Sequence, residues 1–307
     1  MDLSVELAGL HLKNPVIAAG GTFGYGVEFA HLVDLNRIGG LVVKGLSREP
    51  MAGNAAPRIV ETAAGMLNAI GLQNMGAEAF VREKLPALAA YQTAVIANVF
   101  GYTTEDYVAV IETLEKGEGL AAYEINVSCP NTKHGGIIFG TDPGLTREVT
   151  AAVKKAARRP VIVKLSPNVT DIVVIARAAE DGGADAISLV NTFVGMAIDL
   201  DSRRPELPNV TGGLSGPAIK PIALRMVYQV ARAAKVPVIG MGGIASGRDA
   251  LEFILAGATA VQVGTTTFWD PTAPARLVSE IETWCASHRV EKLRDLIGKL
   301  ITDEHRS

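Results

Sequence analysis

Cysteine is almost missing from this 307-residue chain, which carries only Cys129 and Cys285. Two thiols build no disulfide framework and supply too few thiolates for a four-cysteine iron–sulfur cluster. Aromatic residues are scarce at 5%. No run reaches about 18 consecutive apolar residues, so no bilayer-spanning helix is expected. The opening MDLSVELAGLHLKNP lacks the basic stretch and apolar run of a secretory signal. Neither sign of charge is in excess. Lys and Arg total 29 against 32 Asp and Glu, for a net charge of −3. That balance gives no electrostatic reason to expect nucleic acid or an anionic membrane as partner. The histidines form no metal set. His11, His31, His288 and His305 are scattered, and His134 sits in a loop before Gly135-Gly136. The expectation is a cytoplasmic protein without a bound metal.

What the chain has is apolar residues, 48% of the total, broken by 32 glycines and 15 prolines. Short apolar runs recur, each followed by a helical stretch. They are Pro15–Gly20, Gly40–Gly45, Ala94–Phe100, Ala122–Cys129, Pro160–Ser166, Ala186–Thr192, Pro237–Gly243 and Ala260–Thr265. Their length, β-branched content and unbroken apolarity predict parallel strands covered on both faces. Helical periodicity marks Asp106–Leu114, Leu145–Ala157, Asp171–Asp181, Ile219–Ala234 and Arg248–Ala256, with Thr104, Thr170 and Ser246 as acceptable N-caps.

Eight strand–helix units predict an α/β fold, the TIM (β/α)8 barrel, spanning residues 1–307 as one domain. A doubly wound open sheet is the alternative. An amino-terminal hairpin, about Leu3–Leu12 with its turn at Ala8-Gly9, is expected to cap the barrel bottom. Three connections exceed what the scaffold needs: Leu46–Asn74, Pro130–Pro143 and Phe193–Pro217. In a barrel such long loops rise on the face carrying the strand carboxyl ends, where chemistry is placed.

Barrel strands alternate inward and outward. By parity Lys44, Asn98, Asn126, Lys164 and Asn191 each take a last or near-last inward position. Five polar tips thus face one mouth, with Lys164 placed to stabilise developing negative charge. A lysine snorkelling to solvent is the bland alternative. Glu124 shares the inward parity, and an ion pair with Lys164 on the next strand is one expectation for it. The last two strands end in VIGMGGI (238–244) and VQVGTTTF (261–268), turns suited to gripping a phosphate with backbone amides, with Gly216 adding a further close approach. GTFGYG at 21–26 has the wrong spacing for a dinucleotide fingerprint, and no Gly-x4-Gly-Lys-Ser/Thr loop occurs. Cys129, in SCPN just past the fourth strand, is either an inert thiol or a base or nucleophile at the mouth. Cys285, beside Trp284 on an apolar helix, reads as packing.

INVSCPNTKHGG (125–136), NAIGLQN (68–74), VIVKLSPN (161–168), LVNT (189–192), GMGGI and VGT, in that company and order, resemble the class 1 dihydroorotate dehydrogenases from about Val5 to about Trp269. The resemblance implies a flavin-binding barrel that oxidises dihydroorotate to orotate in pyrimidine synthesis. It implies FMN contacts at Gly20, Gly21, Lys44, Gly45, Asn98, Asn126, Lys164, Val190, Gly216, Gly242, Gly243, Gly264 and Thr265. It implies a substrate held by Lys44, by Asn68, Ala69, Ile70, Gly71 and Leu72, by Asn126, and by Asn191 with Thr192. Cys129 matches the family's catalytic base.

The family commonly has Ser where this chain has Gly20, so a hydroxyl contact to flavin is lost. The membrane-associated class 2 enzymes use Ser as base. Within class 1, NTKHGGIIFGTDP (131–143) is more similar to the NAD-linked type. That type implies a separate electron-transfer subunit with FAD and a [2Fe–2S] cluster, around a homodimer core in a heterotetramer. A fumarate-reducing homodimer, a Schiff-base lyase using Lys164, a tRNA-modifying flavin barrel and a non-catalytic phosphate-binding barrel are the alternatives.

Overall fold

All eight apolar runs form strands, and these strands close into one barrel. The structure, a computed structural model, describes residues 1–128 and 137–302. In chain order the barrel strands are Val16–Ala18, Gly40–Val42, Ala94–Val99, Ala122–Asn126, Val161–Lys164, Ala186–Leu189, Val238–Met241 and Ala260–Val263. Every neighbouring pair is parallel, and the eighth strand returns to the first with Val261 opposite Val16. Ile17, Val42, Ile96, Ile162 and Val261 are fully buried. Burial on both faces is why the runs read as continuous rather than alternating. Each such side chain contributes about 1.5–3 kcal/mol of burial.

Helices Thr104–Leu114, Pro143–Ala156, Ile172–Asp181, Lys220–Ala233, Gly247–Leu255 and Ala273–Ser287 pack outside the third to eighth strands. Two short helices, Ala77–Glu83 and Leu85–Leu88, follow the second. Between the first and second strands, all of it described, two 3-10 turns at Val27–Phe29 and Leu35–Arg37 replace the expected α-helix.

Two caps sit one residue from their expected places. Thr103, not Thr104, accepts from the Asp106 amide in a capping box, and Asp171, not Thr170, accepts from the Val173 amide. Ser246 caps as expected, in a box with Asp249. Such caps are worth about 1 kcal/mol each. Cys285 is fully buried in the core, and that burial pushes its thiol pKa up. Among the described residues no helix is long and apolar enough to cross a membrane.

The amino-terminal hairpin pairs Val5–Leu7 with Leu10–Leu12. Its turn residues Ala8 and Gly9 both have positive φ, as a two-residue turn matching strand twist requires. At the opposite end, two of the long connections contribute strands to one sheet. Ile59–Thr62 and Gly65–Asn68 from the second connection join Phe193–Gly195 and Gly212–Ser215 from the sixth in an antiparallel four-stranded layer. Its register sets Asn68 opposite Gly213, beside the mouth.

Candidate active site

A cavity of about 320 Å³ opens at the strand carboxyl ends, under the antiparallel sheet. It lies at the lower end of the range for small-molecule sites. The residues implied by the resemblance line it, with two exceptions. Ala69 is buried in a small core with Leu67 and Leu207. Cys129 lies outside the described residues, as do His134 and Asn131.

The floor is a polar ring fixed by strand register. Asn98 stands opposite Glu124, Asn126 opposite Lys164, and Lys164 opposite Ser188. Glu124 has no exposed surface. It accepts from Asn98 Nδ2 at 2.7 Å, Ser188 Oγ at 2.9 Å and Gln262 Nε2 at 2.5 Å. Lys164 Nζ stands 3.8 Å from its Oε1, so the expected ion pair is present. Desolvating this carboxylate costs several kcal/mol, and the three hydrogen bonds with the nearby ammonium offset that cost.

The rim carries amides. Asn126 Oδ1 accepts from the Ser128 amide at 3.2 Å and from Ser128 Oγ at 2.8 Å. Asn191 Nδ2 donates to Ser128 Oγ at 2.7 Å, and Asn191 Oδ1 accepts from the Thr192 amide. Asn68 Nδ2 donates to the Gly213 carbonyl at 3.2 Å. The parity argument fails for Asn191. Ser188 points inward to Glu124, so Leu189 and Asn191 have the outward parity. The strand ends at Leu189, and Val190, Asn191 and Thr192 all reach the cavity beyond it.

The segment from Ile70 to Leu72 crosses one side of the mouth with Gly71 and Leu72 both at positive φ. For Leu72 that conformation is uncommon and must be held from outside. Asn74 Nδ2 donates to the Leu72 carbonyl at 2.8 Å. Asn74 Oδ1 accepts from the Ser47 and Gly76 amides. Tyr25 Oη accepts from the Met75 amide at 3.0 Å, and burial pushes the Tyr25 phenol pKa up.

The glycine turns complete the wall. Gly242 and Gly243 have φ of 123° and 74°, which only glycine adopts without strain. Gly21 faces open space, and Gly264 sits in ordinary contact with Ala19 and Thr22. A Cβ on Gly21 would meet nothing within 4 Å, and one on Gly264 would come no closer than 3.6 Å to another atom.

A family model described as dihydroorotate dehydrogenase matches residues 2–284. The chain belongs to the dihydroorotate dehydrogenase family. It is 60% identical, over 97% of its length and 98% of the relative's, to a Geobacter sp. (strain M21) protein named dihydroorotate dehydrogenase B (NAD(+)), catalytic subunit. It is 61% identical over the same shares to a Geobacter sulfurreducens protein of that name. It is likewise 61% identical, over 97% and 98%, to a Solibacter usitatus protein provisionally named dihydroorotate dehydrogenase A (fumarate).

Within this dihydroorotate dehydrogenase, sequence reasoning missed Gln262 and Ser188. Both share the inward parity of Glu124 in their registers. A polar residue at an inward position of an otherwise apolar strand was the available signal. Among the described residues no three His, Cys, Asp or Glu side chains gather as a metal site.

Proposed function

We propose that this chain oxidises (S)-dihydroorotate to orotate with FMN seated in the mouth cavity and Cys129 as catalytic base. The observation carrying this is the convergence of Lys44, Lys164, Asn98, Asn126 and Asn191 with the bare glycine turns in one cavity. The residues present fit a flavin phosphate. Gly21 leaves the space a ring or ribityl chain needs, and two ammonium groups line a cavity that would take an anion. The amides of Gly242, Gly243, Gly264 and Thr265, with Gly216 beside them, would hold the phosphate end. Gly20, Gly45 and Val190 would pack on the flavin.

The reaction removes a proton and a hydride from adjacent ring carbons and leaves a C=C bond. FMN, when bound, supplies the hydride acceptor. Cys129 takes the proton. Lys44, Asn68, Asn126, Asn191 and Thr192, with the Ile70–Leu72 backbone, hold the carboxylate and imide oxygens and so fix the reacting carbon against the base. Lys164 stabilises negative charge that develops on the ring system at the floor. Ala69 acts through the backbone, since its side chain is buried away from the cavity.

The Geobacter names favour NAD as final acceptor. With two cysteines and no dinucleotide fingerprint, this chain would then pass electrons to a separate subunit carrying FAD and [2Fe–2S], around a cytoplasmic homodimer core in a heterotetramer. The Solibacter name favours fumarate reduction by a homodimer instead. Purified chain made anaerobic should bleach a flavin absorption band on adding dihydroorotate. C129A should slow that bleaching by about 10²–10⁴-fold. A colourless chain, or a variant that bleaches at the original rate, overturns the flavin or the base. Adding NAD or fumarate to the reduced chain alone separates the two acceptors. Rapid recovery of colour with fumarate favours the homodimer.

A further inference from the structure

Three side-chain donors converge on Glu124, and this fixes which way two cavity amides face. Asn98 and Gln262 both give their NH2 groups to a carboxylate that can only accept. Their carbonyl oxygens must therefore point elsewhere. Asn98 Oδ1 lies toward Gly45, where a Cβ would approach it to 2.8 Å. Gln262 Oε1 is buried and has no protein partner, although Gln262 is itself a lining residue with 1% of its surface exposed. Lys164 offers donors beside them. The floor thus presents two acceptors and a cation. A buried acceptor without a partner is costly, and a ligand donor would remove that cost.

We propose that Glu124 is a positioning residue for the flavin. It locks Asn98 and Gln262 as acceptors for donor groups of the bound cofactor. Gln262 Oε1 takes a ring N–H or ribityl O–H. The Glu124 charge under Lys164 also holds down the flavin's readiness to gain electrons, because a fixed negative charge opposes added negative charge nearby. This inference rests on the flavin reading of the cavity.

Replacing Glu124 by Gln removes the charge and leaves one carbonyl oxygen for three donors. At least one amide must then turn its NH2 toward the cavity. The test titrates apo-protein with FMN by fluorescence quenching and measures the flavin midpoint potential by dye equilibration. E124Q should bind FMN at least about tenfold more weakly, with a more positive midpoint potential. Q262M, which deletes the orphaned acceptor but keeps the Glu124 charge, should weaken FMN binding with a smaller change in potential. If E124Q fails to fold, Q262M alone decides, and wild-type FMN affinity in it overturns the proposal. Wild-type affinity and potential in a folded E124Q, with only a lowered Tm, would leave Glu124 as a packing residue and also overturn it. Failure of the unsubstituted chain to bind FMN overturns the flavin reading instead.

Discussion

Asn191 Nδ2 lies 2.7 Å from Ser128 Oγ and donates to it, joining the exit of the sixth strand to the residue that precedes Cys129. Ser128 in turn donates to Asn126 Oδ1 at 2.8 Å. One chain of hydrogen bonds therefore orders two asparagines of the rim and the entry to the SCPN segment. Its members lie at or just past the ends of the fourth and sixth strands, so neither segment fixes this arrangement alone.

Cutting that chain at Asn191 should impair catalysis more than folding. N191A loses the tie to Ser128 and, on the proposed reading, a donor to substrate. It should lower kcat/KM for dihydroorotate by about 10–100-fold, equivalent to roughly 1.4–2.8 kcal/mol. S128A, which removes the hydroxyl and leaves Asn191 in place, should show a smaller loss in steady-state assays. An N191A enzyme with wild-type kcat/KM would show that the tie carries no catalytic weight.

Much of this architecture was legible because each signal was local. The eight strands are buried on both faces, so β-branched apolar runs marked them. Inward parity placed Asn98, Glu124, Asn126 and Lys164, because those four sit within regular strands or at their last residue. Parity failed at Asn191, two residues past its strand. The antiparallel sheet over the mouth stayed hidden for another reason. Ile59–Thr62 is half-exposed, and Gly65–Asn68 pairs with Gly212–Ser215 from far along the chain. No periodicity within either connection foretells that pairing. The missing helix after the first strand was hidden too, since short 3-10 turns carry no 3.6-residue pattern.

Acid should weaken the support behind the seventh-strand glycine turn. Burial alone would push the Asp249 carboxyl pKa up. Hydrogen bonds from the Lys220 ammonium, the Ala245 amide and Ser246 outweigh it and hold the pKa below the usual range. Lys220 Nζ lies 2.6 Å from Asp249 Oδ1. A pKa lowered on folding adds stability above the unfolded-state pKa, and that stability is lost as pH falls through the lower folded-state value. D249N keeps the shape but not the charge. It should be about 1 kcal/mol less stable than wild type at pH 7, with the gap closing below about pH 4. Thermal unfolding of both proteins across pH 3–7 checks this. A gap of constant size would place the effect in packing rather than charge.

Gly20 is the last residue before the open wall at Gly21, and its backbone runs tightly against the second strand. A Cβ there would come within 2.3 Å of the Val43 carbonyl oxygen and 3.0 Å of the Val42 carbonyl oxygen. Both are backbone atoms, so a side chain at position 20 forces one strand away from the other. Placing at position 20 the serine that the resemblance implies is therefore not a simple gain of a flavin contact. G20S should lower stability by about 1–3 kcal/mol, the usual cost of overpacking, and widen the gap between the first and second strands beside Lys44. Displacing Lys44 should raise the KM for dihydroorotate at the same time. Thermal unfolding and steady-state kinetics of the one variant separate the possibilities. A stable G20S with tighter FMN binding would mean that the strand yields easily and that the hydroxyl is welcome. A less stable G20S with raised KM would mean that glycine at this position goes with a closer approach of the two strands.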